Sequence, residues 1–294
     1  MISVLTPTFN RREKLADLYK SLEEQTSKEF EWVVVDDGSS DDTESYITGL
    51  KATFPIWYYR KENGGKHTAL NYGLTKISNE LTFIVDSDDR LPPAAIETIC
   101  RYHKKYAADE ELCGYSFLKC YPDGTVNGKL FVPDEKIASY IDVRINADDT
   151  RADKAEVFKT SCLKEFPFPE YPGEKFLSED VVWMRLARKY KMVHINKAIY
   201  IADYYADGLT HNRRRNNIQS PRGCMTRALE YLHPDIKIRY RSKAVLQYLI
   251  YGRFAGFDYA SLLAKAPDKL FASLFVLPGD ILYRMWKRQY TKEN

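Results

Sequence analysis

Through the first third of the chain, short apolar runs alternate with stretches in which apolar residues recur every three or four positions. Residues 2–6 form one such run, and residues 32–35 (Trp-Val-Val-Val) form another. Between them Leu15, Leu18, Tyr19 and Leu22 fall at i, i+3, i+4 and i+7, one face of a helix that Asn10 can cap. The same rhythm predicts a helix over 42–50, a strand over 56–59 and a turn at Asn63-Gly64-Gly65. A helix over 66–77 follows, with Leu70, Leu74 and Ile77 on one face. A strand over 82–85 and a helix starting near Pro92 complete the series. Repeated strand–helix units of this kind predict an α/β fold with a doubly wound, mostly parallel sheet.

The middle of the chain is more β-like. Runs over 112–120 and 126–131 flank Tyr121-Pro122-Asp123-Gly124, which predicts a hairpin. Residues 179–190 read as an amphipathic helix, and 192–195 and 199–204 as two further strands. From Arg222 onward the pattern is helical, with aromatic and basic residues interleaved. The expected organisation is a domain over 1–221 followed by a helical C-terminal extension over 222–294. Within the domain, an alternating half up to about 110 and a β-like half over 111–221 are expected.

Composition narrows the class. With 29% charged and 44% hydrophobic residues, the 294-residue chain is globular and not disordered. Five cysteines without metal-binding or redox spacing suit a reduced, cytoplasmic protein. The start shows no secretory pattern, and the apolar run over 270–277 falls well short of a membrane span. A net charge of +3 argues against a dedicated nucleic-acid binder. That small total hides an asymmetry. Residues 211–294 hold 16 of the 44 Lys and Arg but only 6 of the 41 Asp and Glu. A basic tail on an acidic body fits peripheral contact with the inner leaflet of a membrane. Solvated helix faces are the alternative.

Residues 83–89, Phe-Ile-Val-Asp-Ser-Asp-Asp, carry the chemistry. An apolar strand ends abruptly in Asp86, Asp88 and Asp89, as strands do at the carboxyl edge of a doubly wound sheet, where ligands bind. Crowded carboxylates repel, so positive charge is expected there. A hard divalent cation holding a phosphate suits the position; a cluster capping the next helix is the other reading. Two more strand ends, Thr6-Pro7-Thr8-Phe9-Asn10 and Asp36-Asp37-Gly38-Ser39-Ser40, belong to the same edge and offer hydroxyl, amide and carboxylate groups. Common alternatives fail. No Gly-x-Gly-x-x-Gly follows the first strand, and Gly65-Lys66-His67-Thr68 lacks the first glycine and the Ser/Thr of a phosphate loop. The 36–42 run has the wrong spacing for a calcium loop.

These segments, in order and spacing, resemble the family 2 glycosyltransferases of GT-A fold, in particular those acting on bacterial surface polysaccharides. The matching residues are Thr6-Pro7-Thr8-Phe9-Asn10-Arg11, the run from Val35 through Asp36-Asp37-Gly38-Ser39-Ser40 to Thr43, Gly64-Gly65-Lys66-His67-Thr68-Ala69-Leu70-Asn71, Asp86-Ser87-Asp88-Asp89 and Glu179-Asp180. The later Asp207-Gly208-Leu209-Thr210-His211-Asn212-Arg213 is similar to the surface-polysaccharide members. The resemblance implies an inverting, metal-dependent enzyme that moves a sugar from a nucleoside diphosphate sugar, usually UDP-linked, to a hydroxyl of a glycan or lipid-linked acceptor. Thr6, Pro7, Thr8 and Asn10 would line the base and ribose pocket, Asp37 would accept from the uracil N–H, and Lys66 would reach the base or a phosphate. Asp86 would face the ribose beside Ser87, and Asp88 would ligate Mn²⁺ or Mg²⁺. Asp180 would be the catalytic base with Glu179 beside it. The run Arg213-Arg214-Arg215 could close on the diphosphate, since guanidinium forks suit phosphate oxygens, or form an exposed basic loop. Acidic residues also favour the first turn of a helix without any catalytic role. A homodimer is open, as is a non-catalytic subunit that only binds nucleotide sugar or carbohydrate in a membrane assembly.

Overall fold

The computed structural model describes residues 1–147, 152–202 and 213–290. The chain divides into two compact units, one of Met1–Pro167 with Leu186–Tyr205, the other of Phe168–Arg185 with Ala206–Asn294.

The first unit is built on an eight-stranded sheet. Its strands are β1 (Ile2–Thr8), β2 (Phe30–Asp36), β3 (Ile56–Arg60), β4 (Leu81–Ile84), β5 (Leu112–Cys120), β6 (Lys136–Ala138), β7 (Lys154–Lys159) and β8 (Lys191–Ile201). They lie in the order β3-β2-β1-β4-β7-β5-β8-β6. The four N-terminal strands are mutually parallel. They are joined by α1 (Arg12–Glu23), α2 (Thr43–Thr48) and α3 (Lys66–Lys76), as the alternating pattern predicts. β1 is buried along its whole length, Ser3, Thr6 and Thr8 included. Leu15, Leu18 and Leu22 of α1 pack with Trp32, Val34 and Phe83 in the main core, beside Ile96 and Ile99 of α4 (Ala95–Tyr106).

Register sets the edge where chemistry can occur. Thr8 lies opposite Asp36, and the Asp37 amide donates to the Thr8 carbonyl at 2.9 Å. The Val85 amide donates to the Leu5 carbonyl at 3.0 Å, which brings the 86–89 turn alongside the other two strand ends. The three chemically marked segments therefore share one sheet edge.

The middle departs from expectation. The hairpin over 112–120 and 126–131 reduces to one isolated bridge between Cys120 and Val126. Gly128 has φ +81°, which breaks the extended backbone a second strand needs. Side chains hold the 126–131 stretch instead. The Lys154 ammonium donates to the Asn127 and Lys129 carbonyls, and the Asn196 amide exchanges bonds with the Phe131 backbone. The strands expected over 192–195 and 199–204 are one strand, β8, as far as Ile201, residues 203 and 204 lying outside the described residues; it absorbs register shifts against β5 near Leu118. β7, which the pattern did not predict, runs antiparallel between β4 and β5. Its charged Lys154, Glu156 and Lys159 conceal a strand whose other residues are buried. After it come α5 (Thr160–Glu165) and the chain's passage to the second unit.

The second unit is helical: α6 (Asp180–Ala187), α7 (Arg213–Gln219), α8 (Pro221–Tyr231), α9 (Ile238–Phe254), α10 (Tyr259–Lys265), α11 (Lys269–Ser273) and α12 (Val276–Tyr290). Pro221 opens α8, where a missing N–H costs nothing. Asp258 and Asp268 cap α10 and α11 by accepting from Ser261 and Phe271 amides. Ala228, Leu232, Val245, Tyr248, Leu249 and Leu262 form its core.

Candidate active site

Within the first unit, the loops after β1, β2 and β4 are tied by side chains that carry the motif residues. Asn10 takes a left-handed backbone (φ 51°), which Asn tolerates better than most. Its amide donates to Ser39 Oγ at 2.8 Å, and its side-chain oxygen accepts from the Ser40 amide at 2.8 Å. Asp36 closes its own turn by accepting from the Ser39 amide and from the Tyr58 hydroxyl. Gly38, at φ +82°, turns back beneath Asn63, where an added Cβ would lie 3.0 Å from the Asn63 amide nitrogen. Asp37 is buried. It accepts from Lys61 Nζ at 2.9 Å and from the Gly64 and Gly65 amides at 2.9 and 2.7 Å. Three of its roughly four acceptor directions are thus used to shape the 64–65 turn that starts α3. Thr6 turns its hydroxyl inward to accept from the Trp32 indole at 3.0 Å. Thr8 Oγ1 is buried with no hydrogen-bond partner among the described residues, so it can take a ligand's polar atom.

The acidic turn after β4 meets cations supplied by the protein itself. Lys66 Nζ lies 2.5 Å from Asp86 Oδ1, and Arg11 pairs with Asp88. Burial pushes the Asp86 carboxyl up, but Lys66, then Lys119 and Arg11, outweigh it and hold the group below the ordinary range. Asp89 goes the other way. Burial, with the charges of Asp86 and Asp88 against it, raises it to about 6 in spite of Lys119. The Tyr200 hydroxyl joins these groups: it donates to Asp89 Oδ2 at 2.6 Å and accepts from the Asp86 amide at 3.1 Å. Lys119 Nζ stands 3.8 Å from the centre of the Tyr200 ring. Ser87 is buried between the two carboxylates. Tyr200 and Lys119 have no signal in the sequence. An aromatic residue in an apolar strand reads as core, and a lysine in β5 as solvent-facing. Arg11 stands in the first motif without a role attached to it.

A divalent ion fits this edge only with help. Among the described residues no three His, Cys, Asp or Glu side chains come together as an ion site. Asp88 is partly exposed, and one carboxylate suffices for Mg²⁺ or Mn²⁺ when phosphate oxygens supply other ligands. The donor set therefore suits an ion that arrives with a diphosphate.

Asp180 belongs to the second unit and is largely buried in a charge-paired cage. Arg227 Nε lies 2.8 Å from both carboxylate oxygens, Arg227 Nη2 is 2.5 Å from Oδ2, and the Tyr231 hydroxyl donates to Oδ2 at 3.0 Å. Burial raises the carboxyl, but Arg227, helped by Ser178 and Tyr231, brings it below the usual range. Glu179 precedes the helix, and its carbonyl accepts from the Val182 and Trp183 amides. Trp183 is buried and packs edge-on against Phe168 with ring centroids 5.8 Å apart. Arg214 lies over the Trp286 ring at 4.4 Å. The Arg213 side chain and His211 lie outside the described residues.

Residues 3–120 match the family model described as glycosyl transferase family 2. Residues 3–120 are thus similar to the family 2 glycosyltransferases. A GalNAc(5)-diNAcBac-PP-undecaprenol beta-1,3-glucosyltransferase of Campylobacter jejuni is 29% identical over 217 residues, 68% of this chain and 63% of that protein. The poly(ribitol-phosphate) beta-N-acetylglucosaminyltransferase TarP of Staphylococcus aureus is 34% identical over 112 residues, 37% of this chain and 34% of TarP. The match thus spans less than two thirds of either relative. Among solved structures, a fragment of S. aureus TarS in complex with UDP-GlcNAc superposes with a TM-score of 0.62 at 18% identity, covering 98% of this chain and 91% of the fragment. A mannosyltransferase from Pyrobaculum calidifontis, in complex with GDP-Man and Mn²⁺, gives 0.57 at 19%, covering 99% and 84%. At such identities these two establish the fold, a GT-A-like α/β architecture.

Proposed function

We propose that the protein is an inverting, metal-dependent glycosyltransferase. It would pass a sugar from a UDP-sugar to a hydroxyl of a glycan or lipid-linked acceptor in the synthesis of cell-surface polysaccharide. The observation that supports this reading is the gathering of Asp86, Asp88, Lys66 and Arg11 at the sheet edge reached by the first and second motif loops. In this reading the carboxylates bring the ion and the ribose, while the two cations suit phosphate oxygens. Thr6, Pro7, Thr8, Asn10 and Asp37 would line the base and ribose, and Ser87 would sit beside the ribose. Arg213 would fold onto the diphosphate.

Asp88 would hold Mn²⁺ or Mg²⁺, which supplies Lewis-acid neutralisation of the departing diphosphate. The acceptor oxygen bonds to the anomeric carbon as that carbon's bond to the diphosphate oxygen breaks, with inversion. Asp180, ionised at neutral pH, takes the acceptor's proton, and Glu179 steadies the acceptor hydroxyl. The UDP complex of the TarS fragment and the undecaprenol-linked acceptor in the name of the Campylobacter enzyme lend support to the substrate classes. In this reading the protein would act at the cytoplasmic face of the membrane, by peripheral contact.

The Arg227 clamp favours a second reading, a subunit that binds nucleotide sugar without transferring it. A carboxylate held this firmly by a guanidinium is a weak base. Titration of UDP with Mn²⁺, followed by UDP release from a UDP-sugar, tests both. Release that Asp180→Asn abolishes upholds transfer; binding without release upholds the second reading.

A further inference from the structure

The last two helices of the second unit turn their aliphatic residues the wrong way for a buried element. Leu277, Ile281 and Met285 follow one another at spacings of four on one side of α12, preceded by Leu270 in α11 and Leu274 in the turn between the two helices. All five are exposed, from 52% at Ile281 to 83% at Leu270. The opposite side of α12 is already satisfied. Gly279 is buried against Leu249, Tyr283 meets Phe254 at 4.9 Å between ring centroids, and Trp286 meets Tyr251 at 6.0 Å. The aliphatic row is therefore a second face, not a misplaced core face.

Its charge indicates what it meets. Lys269, Arg284, Lys287 and Arg288 are exposed along the same two helices, against a single acid within them, Asp280. Asp280 is only partly exposed and accepts from Tyr259 and Arg284. A symmetric contact with the same face of a second copy would bring a like-charged rim against this one. An anionic bilayer offers both a hydrocarbon layer for the leucines and negative headgroups for the cations. No helix among the described residues is long and apolar enough to cross a membrane, so the segment would lie in the interface plane.

We propose that the α11–α12 face docks the protein on an anionic lipid surface, with Leu270, Leu274, Leu277, Ile281 and Met285 entering the headgroup–acyl boundary. This deepens the peripheral contact proposed above. Its test needs no catalysis, so a failure of docking and a failure of sugar transfer are read separately.

The experiment is co-sedimentation of the full chain with phosphatidylcholine vesicles, with and without phosphatidylglycerol, alongside light scattering over a range of protein concentrations. Binding is expected only with phosphatidylglycerol, and it should weaken as salt rises. A Leu274→Gln, Leu277→Gln, Ile281→Gln variant should bind about tenfold less or worse. Arg284→Gln with Arg288→Gln should lose the preference for anionic lipid. These side chains are exposed, so thermal melts should be unchanged. No binding by the wild type, or equal binding by the leucine variant, overturns the proposal. So does a dimer that the leucine variant dissociates, if vesicles bind neither form.

Discussion

Asp89 is buried and Asp180 largely so, and their neighbours drive the two carboxylates in opposite directions. Asp180 faces a guanidinium that outweighs its burial, so it stays ionised. Its share of stability is present above the unfolded carboxylate range and is lost as pH falls through its lower folded value. Arg227→Ala strands that charge in a buried setting. It should cost about 3–5 kcal/mol in chemical denaturation, and Asp180→Asn on top of it should restore part of the loss. Additive losses would show that the two side chains do not interact. Asp89 is raised to about 6 because burial and two acidic neighbours oppose its charge. Its contribution is greatest below pH 4 and disappears as pH rises through 6. Asp89→Asn should therefore flatten the decline in stability between pH 4 and 6, on the order of 2–3 kcal/mol. An unchanged pH profile would mean that Asp89 titrates normally.

Elements pack closely where the motif loops need a fixed base. Gly73 brings α3 down onto β1 and β2; an added Cβ would lie 2.4 Å from Leu5 Cδ1 and 3.0 Å from Val35 Cγ2. Alanine is the better helix former, by about 1 kcal/mol. Even so, Gly73→Ala should destabilise by about 1–2 kcal/mol, because both neighbours are buried without room to move. A rise in Tm would show that the contact gives way cheaply. Elements of this kind are legible from the chain. The β1–α1–β2 rhythm follows from local spacing, and the acidic turn follows from an apolar run that stops. β7 is not legible, since its lysines find carbonyl partners far away in sequence. The same holds for the site. Asp86, Asp88 and Asp180 stand out as residue types in a motif, whereas their environments depend on Tyr200, 111 positions from Asp89, and Arg227, 47 from Asp180. Spacing can therefore nominate a carboxylate without showing that its charge is already met by the protein.

At the scale of the molecule, the first unit presents a charge-balanced edge and the second holds a caged carboxylate and an unpartnered aliphatic face. Under the proposed function a diphosphate would exchange with these internal ion pairs: Arg11 and Lys66 would turn from Asp88 and Asp86 to phosphate oxygens, and Asp88 would be left to hold an ion brought with the nucleotide. Binding should then depend on the ion and on Asp88 together, while neither is needed for folding. Calorimetric titration of UDP into the full chain, with and without Mn²⁺, measures this directly. The account predicts that Mn²⁺ tightens UDP binding at least about tenfold and that Asp88→Asn removes the gain without altering the melt. UDP binding that ignores both Mn²⁺ and Asp88, or no UDP binding by the folded wild type, would contradict it.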